Sequence, residues 1–143
     1  MGLKPRISAS LMCADLLNLE KQIRILESAE VDYIHYDVMD GTFVPNITLG
    51  IDLFNQIRSI SNLSMDVHFL TVRPMDYIPR FIIRPGDIVS VHYESDAELA
   101  EVADYVHSKG ALFGIAISSD VSTSELIVHL KYTDVFLVMM ILI

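Results

Sequence analysis

One cysteine, Cys13, is all the chain has, so no intrachain disulfide can form. The stretch Met1 to Leu11 lacks the charged start and long apolar core of a signal peptide. Both absences point to a reducing cytoplasm. Basic residues are also scarce, with ten Lys and Arg against nineteen Asp and Glu, a formal charge of −9 and a pI near 4.8. A nucleic-acid partner requires a concentrated basic face, so none is expected. A small anionic substrate would rest instead on backbone N–H groups and helix N-termini. No apolar run reaches the ~20 residues that cross a bilayer as a helix. The most apolar stretch, Val135 to Ile143, reads as a buried strand, and no membrane partner is expected. The chain also lacks a linker, a low-complexity tract and any break in composition, so residues 1–143 are expected to form a single domain.

What the chain has is apolar residues in a regular order. They make up 52% of the 143 positions and give a mean hydropathy of +0.42. Short runs rich in Val, Ile, Leu and Tyr alternate with amphipathic stretches, the pattern of parallel strands joined by crossover helices. The strand candidates are Ile7 to Leu11, Tyr33 to Val38, Met65 to Leu70, Asp87 to Val91, Leu112 to Ile117 and Val135 to Leu142. Helical spacing recurs in Leu16, Leu19, Ile23 and Leu26, in Leu53, Phe54 and Ile57, and in Leu99, Val102, Ala103 and Val106. Ser95 or Asp96 can cap the fourth helix, Gly110 can end it, and Ser122 to Ser124 can open the fifth. Six strands and five helices suit either an open doubly wound sheet or an incomplete closed barrel. The first strand-to-helix turn, Ser10-Leu-Met-Cys-Ala-Asp15, has no Gly-rich phosphate fingerprint, which removes the main argument for a nucleotide-binding sheet.

The most informative segment is His35-Tyr-Asp-Val-Met-Asp-Gly-Thr-Phe-Val-Pro-Asn46. His35, Asp37 and Met39 are spaced by two, so on a strand they point to one face. The next strand carries His68. Buried polar groups cost free energy unless they are paired or bound to a metal. Two imidazoles and a carboxylate suit a divalent cation, zinc first, with iron, cobalt and manganese also compatible. Plainer readings compete at single positions. His92 reads as a satisfied core histidine, His107 and His129 as solvated helix residues, Asp40-Gly41 and Pro45-Asn46 as turn formers, and Met12, Met39 and Met139 as flexible core filler.

Together these segments resemble the ribulose-phosphate 3-epimerases. The resemblance rests on Ile7 to Asp15, His35 to Gly50, Asp66-Val-His68, Pro74 to Ile78, Val91-His-Tyr-Glu94, Gly114 to Ile117 and Leu137-Val-Met139, in family order along almost the whole chain. It implies a (β/α)8 barrel of the TIM type with its site at the C-terminal ends of the strands. Here the barrel would be truncated to about six strands and five helices, since the chain is shorter than the ~250 residues of a complete one. By position, Ser10 would contact substrate, and His35, Asp37 and His68 would bind the metal, with His68 also beside the substrate. Asp37 would act as one of two acid/base carboxylates, and Met39 and Met139 would line the space beside the intermediate. The implied reaction is metal-dependent 3-epimerisation of ribulose 5-phosphate to xylulose 5-phosphate through an ene-diolate.

Allulose 6-phosphate is the alternative substrate, suggested by Leu11-Met-Cys-Ala-Asp15. The resemblance further implies a small phosphorylated sugar as partner and a homo-oligomer. The family's second Asp, on a seventh strand, and its phosphate loops have no counterpart in these 143 residues. Met140-Ile-Leu-Ile143 departs from the family's Pro-Gly-Phe segment, Ala9 stands where Pro is common, Thr42 where His is common, and Leu70 where Met is common. A catalytically incompetent barrel fragment that only binds metal or self-associates is therefore a second expectation, because open sheet edges invite association.

Overall fold

The computed structural model describes residues 4–139. Its six strands are β1 (Ser8–Ser10), β2 (Tyr33–Met39), β3 (Ser64–Leu70), β4 (Ile88–His92), β5 (Leu112–Ile117) and β6 (Val135–Val138). All neighbours pair in parallel, and the spatial order follows the chain from β1 to β6. A doubly wound sheet reverses its order at a switch point. The absence of any reversal decides between the two architectures left open above, and the sheet is a curled half-barrel of the (β/α)8 type. The expected strands match these closely in position, but the last, expected to be buried, leaves Phe136 and Val138 exposed, because no α-helix among the described residues covers that edge of the sheet. The Met140 to Leu142 part of the last one, and the Met140-Ile-Leu-Ile143 departure, lie outside the described residues.

The pleat gives this sheet two unlike faces. Ile34, Tyr36 and Val38 of β2, Met65, Val67 and Phe69 of β3, Val89 and Val91 of β4, and Phe113 and Ile115 of β5 join one buried apolar cluster on the convex side. Three α-helices cover it, α1 (Leu19–Ser28), α2 (Ile51–Ile60) and α3 (Leu99–Ser108). Each presents a stripe at helical spacing, and Ile23, Phe54, Ile57, Val102 and Val106 are buried. α3 ends as expected at Gly110, whose φ of +72° favours glycine. Its start differs from expectation: Glu98 holds the cap position without a side-chain bond, and the Ser95 hydroxyl donates to the His92 carbonyl at 2.6 Å instead.

All five crossovers are helical, two of them only as 3-10 turns. Between β3 and β4 the chain makes two such turns, Pro74–Asp76 and Ile78–Arg80. Pro74, Pro79 and Pro85 deny the donors and backbone angles that a continuous α-helix needs. The last crossover, Thr123–His129, is a 3-10 segment that Ser122 caps by accepting from the Ser124 N–H at 3.4 Å. Beside it, Phe136 and Val138 of β6 border an open apolar groove of about 230 Å3 with Leu126, Ile127 and Leu130. No helix among the described residues is long and apolar enough to cross a membrane.

One ion pair ties the convex layer together. Arg58 of α2, buried, hydrogen bonds to the buried Asp87 carboxylate and donates to the carbonyls of Leu63 at 3.1 Å and Ile82 at 3.2 Å. Asp87 also accepts from the Met65 N–H at 2.8 Å, which anchors the start of β3. Removing one partner strands the other charge in the protein interior. Arg58→Ala is therefore expected to lower stability by roughly 3–5 kcal/mol, read as a fall in the urea midpoint followed by circular dichroism.

Candidate metal and acid/base site

The concave face of the sheet is polar where the convex face is apolar. Parallel register sets Asp37 opposite His68 and His35 opposite Asp66 on β2 and β3, and His68 opposite Ser90 on β4. All of these side chains point inward. Close approach is enforced further along by Gly114 of β5, because a Cβ there would collide with the Ser90 side chain.

The inward groups form one continuous hydrogen-bonded series. Asp37 Oδ1 lies 3.0 Å from His35 Nε2 and 3.1 Å from His68 Nδ1. His35 Nδ1 is 2.9 Å from Asp66 Oδ2, which also accepts from the Ser8 hydroxyl at 2.8 Å. His68 Nε2 is 3.0 Å from His92 Nε2, and His92 Nδ1 is 3.4 Å from Glu94 Oε2. The Thr48 hydroxyl donates to the Asp37 carbonyl at 2.8 Å and steadies the end of β2.

This environment separates the titrating groups. Burial opposes a charge on His35, but its hydrogen bonds to Asp37 and then to Asp66 outweigh that and push its pKa up to about 10. Burial would raise the Asp37 carboxyl, yet the bonds it accepts from His35 and His68 hold it well below the usual carboxylate range. His92 is pushed down to about 4 by burial and by the neighbouring His68. Asp37 is therefore ionised at neutral pH and His92 is uncharged.

Beside Asp37 opens a cleft of about 390 Å3, bounded by Met12, Met39, Val44, Pro45, Asn46, Leu70 and Met139. Its volume falls in the range of small-molecule sites. Among the described residues Asp37 is the only carboxylate lining it. The loop that forms one wall is pinned, since Asp40 accepts from the Thr42 N–H at 2.9 Å and from the Tyr77 hydroxyl at 2.9 Å. Gly41 supplies the φ of +80° that this turn requires.

The structure thus brings His35, Asp37 and His68 into contact and sets Met39 and Met139 with Asp37 in the cleft wall. Ser10 pairs with His35 in register, and its hydroxyl accepts from the Met12 N–H at 3.3 Å, capping the turn after β1. It does not border the cleft. Sequence reasoning passed over Asp66 and Ser8, while His92, read as a satisfied core histidine, is indeed buried and hydrogen-bonded to His68 and Glu94. A signal existed for Asp66, which stands two before His68, as His35 stands two before Asp37. His92 required the register of β3 against β4, which single-strand periodicity does not contain.

One nitrogen each of His35 and His68 and an oxygen of Asp37 lie within 4.8 Å of one another. A tetrahedral ion about 2.0–2.1 Å from each donor would separate them by roughly 3.3 Å. The observed 3.0 and 3.1 Å come close to this, so the donor set can hold a divalent cation.

The sequence matches the profile of the ribulose-phosphate 3 epimerase family over residues 6–141. It is 37% identical over 135 residues to the ribulose-5-phosphate-3-epimerase, chloroplastic, of Arabidopsis thaliana, covering 93% of this chain and 48% of that protein. It is 35% identical over 133 residues to the ribulose-phosphate 3-epimerase of Chlamydia pneumoniae, covering 93% of this chain and 58% of that one. Against the Bacillus subtilis ribulose-phosphate 3-epimerase it is 35% identical over 113 residues, 79% of this chain and 52% of the other. The chain thus spans about half the length of these curated relatives.

The charge pattern fixes how the metal-free chain responds to pH. His35 is raised above its ordinary 6.5, so its contribution to stability is complete below pH 6.5 and is lost as pH climbs through about 10. His92 is depressed, so its contribution holds above 6.5 and is lost as pH falls through about 4. Urea midpoints measured against pH should therefore peak near 6.5, and His35→Gln should flatten the alkaline limb while leaving the acid limb in place.

Proposed function

Because the chain belongs to the ribulose-phosphate 3-epimerase family, we propose that its cleft serves the 3-epimerisation of a ketose phosphate, ribulose 5-phosphate to xylulose 5-phosphate. The observation that carries this reading is Asp37. It is an ionised carboxylate held between two histidines and bordering a cleft that is otherwise almost wholly apolar.

Inverting C3 of a ketose phosphate requires removal of a proton from one face and delivery of a proton to the other. Asp37, unprotonated at neutral pH, is in the form that accepts the C3 proton. His35 Nε2 and His68 Nδ1, at 3.0 and 3.1 Å from its Oδ1, flank the carboxylate and fix its direction, so the base needs no reorientation when substrate enters. Met39, Val44, Leu70 and Met139 line the space beside the reacting carbon and leave Asp37 as the one carboxylate among the described residues that meets it.

His35, Asp37 and His68 would hold the divalent cation, zinc or another ion of similar preference. When bound, such a cation stabilises the negative charge that spreads over the ene-diolate oxygens. Ser10, beside His35 at the end of β1 and outside the cleft wall, would meet only a part of the substrate that extends past Met12 toward the first turn. One carboxylate in the cleft serves one face. The family resemblance assigns the second to an Asp on a seventh strand, so inversion belongs to a protein that includes that strand, and proton exchange at C3 is the part these residues can perform alone.

Proton NMR of ribulose 5-phosphate in deuterated water with zinc tests this directly. Exchange of the C3 hydrogen is expected with the unaltered chain, and Asp37→Asn should slow it by roughly 10²- to 10⁴-fold, the usual contribution of a positioned acid or base. Exchange that persists unchanged in Asp37→Asn would remove Asp37 from the role of base.

A further inference from the structure

Resting on the metal reading above, a second layer of the site follows from what the far side of each histidine touches. An imidazole has two nitrogens, and a ring that gives one to a cation must satisfy the other, which also sets its tautomer and tilt. His35 turns Nε2 toward Asp37 and Nδ1 toward Asp66 Oδ2, at 2.9 Å. An ionised carboxylate only accepts hydrogen bonds. Nδ1 of His35 therefore carries a hydrogen, and Nε2 is the nitrogen left to face the site. The Ser8 hydroxyl donates to the same Asp66 oxygen and holds it in place.

The other side is built with one more link. Glu94 Oε1 accepts from the Ser118 N–H at 3.0 Å, leaving Oε2 to face His92 Nδ1 at 3.4 Å. Since Glu94 also only accepts, His92 carries its hydrogen on Nδ1 and its Nε2 is bare. A bare Nε2 at 3.0 Å takes the hydrogen of His68 Nε2, which leaves His68 Nδ1 for the site. The Phe43 ring lies 4.5 Å from the His92 ring, centroid to centroid, so this link is shielded from water and cannot trade partners freely. Both histidines are thus oriented by a carboxylate, one directly and one through a second imidazole.

We propose that Asp66, and the pair His92 and Glu94, are positioning residues that fix the tautomer and orientation of His35 and His68 toward a divalent cation.

Cobalt(II) titration followed by its visible absorption, paired with nitrogen-15 NMR of the imidazoles in the metal-free chain, tests this. The unaltered chain should show His92 protonated on Nδ1 and bare on Nε2. Asp66→Asn and His92→Phe should weaken cobalt affinity by roughly 10- to 100-fold and alter the cobalt spectrum. His92→Gln, whose amide oxygen can accept from His68 while its amide nitrogen donates to Glu94, should recover most of the affinity. Glu94→Ala, at the partly exposed end of the series, should fold normally and lose the single His92 tautomer. Failure of the unaltered chain to bind cobalt would overturn the metal reading and this inference with it. Cobalt binding by the unaltered chain, with undiminished affinity and spectrum in folded Asp66→Asn and His92→Phe, would overturn the positioning roles alone, as would a His92 protonated on Nε2.

Discussion

The polar series on the concave face depends on the register between β2 and β3. Asp37 meets His68, and His35 meets Asp66, because the two strands pair at one offset, with Ile34 beside Met65 and Val38 beside Phe69. A shift of one residue would turn the histidines into the helical layer and the apolar residues into the concave face. The offset is secured from behind. Phe54 packs edge-on against Tyr36 and, through Phe81, is linked to Phe69, while Asp87 grips the first backbone N–H of the buried part of β3. Apolar packing on one side of the sheet therefore sets distances of about 3 Å among charged groups on the other.

Much of this could be read from the residues alone, and the limits have physical reasons. Alternation of apolar runs located all six strands, because strands covered on one side by helices cannot avoid that pattern. Spacing by two put His35, Asp37 and Met39 on one face, and the same logic reached His68. The β3 to β4 crossover takes its helical turns as two short 3-10 segments, because Pro79 and Pro85 restrict backbone angles in a way that apolar periodicity does not register. The cap expected from Ser95 went elsewhere, since its hydroxyl found the His92 carbonyl first. His92 itself became legible only with β4 beside β3. A histidine's partner across a parallel pair is fixed by an offset between strands, and no single strand encodes it.

A polar concave face carries a thermodynamic cost. His35, Asp37, Asp66, His68 and His92 lose hydration without the compensation that apolar groups would gain, and replacing such clusters by hydrophobic residues of similar volume is often neutral or stabilising. Their presence is better understood as local preorganisation that the convex core supports. The buried Arg58 and Asp87 pair differs in kind, since it lies at the edge of the helical layer and joins α2 to the starts of β3 and β4. One cluster lines the candidate site and the other joins helix to strand, although both are buried and charged.

The pleat of β2 and β3 also has a consequence for how this sequence can drift. From Ile34 to Met39 and from Met65 to Leu70, neighbouring positions answer to different selective pressures. Ile34, Tyr36, Val38, Met65, Val67 and Phe69 tolerate exchange for any apolar side chain of similar bulk. His35, Asp37, Asp66 and His68 should each tolerate far fewer single exchanges, because each supplies a particular donor or acceptor atom to a neighbour. Along these two strands substitution tolerance should alternate residue by residue, so that a comparison of drifting sequences would recover the two faces of the sheet from variability alone.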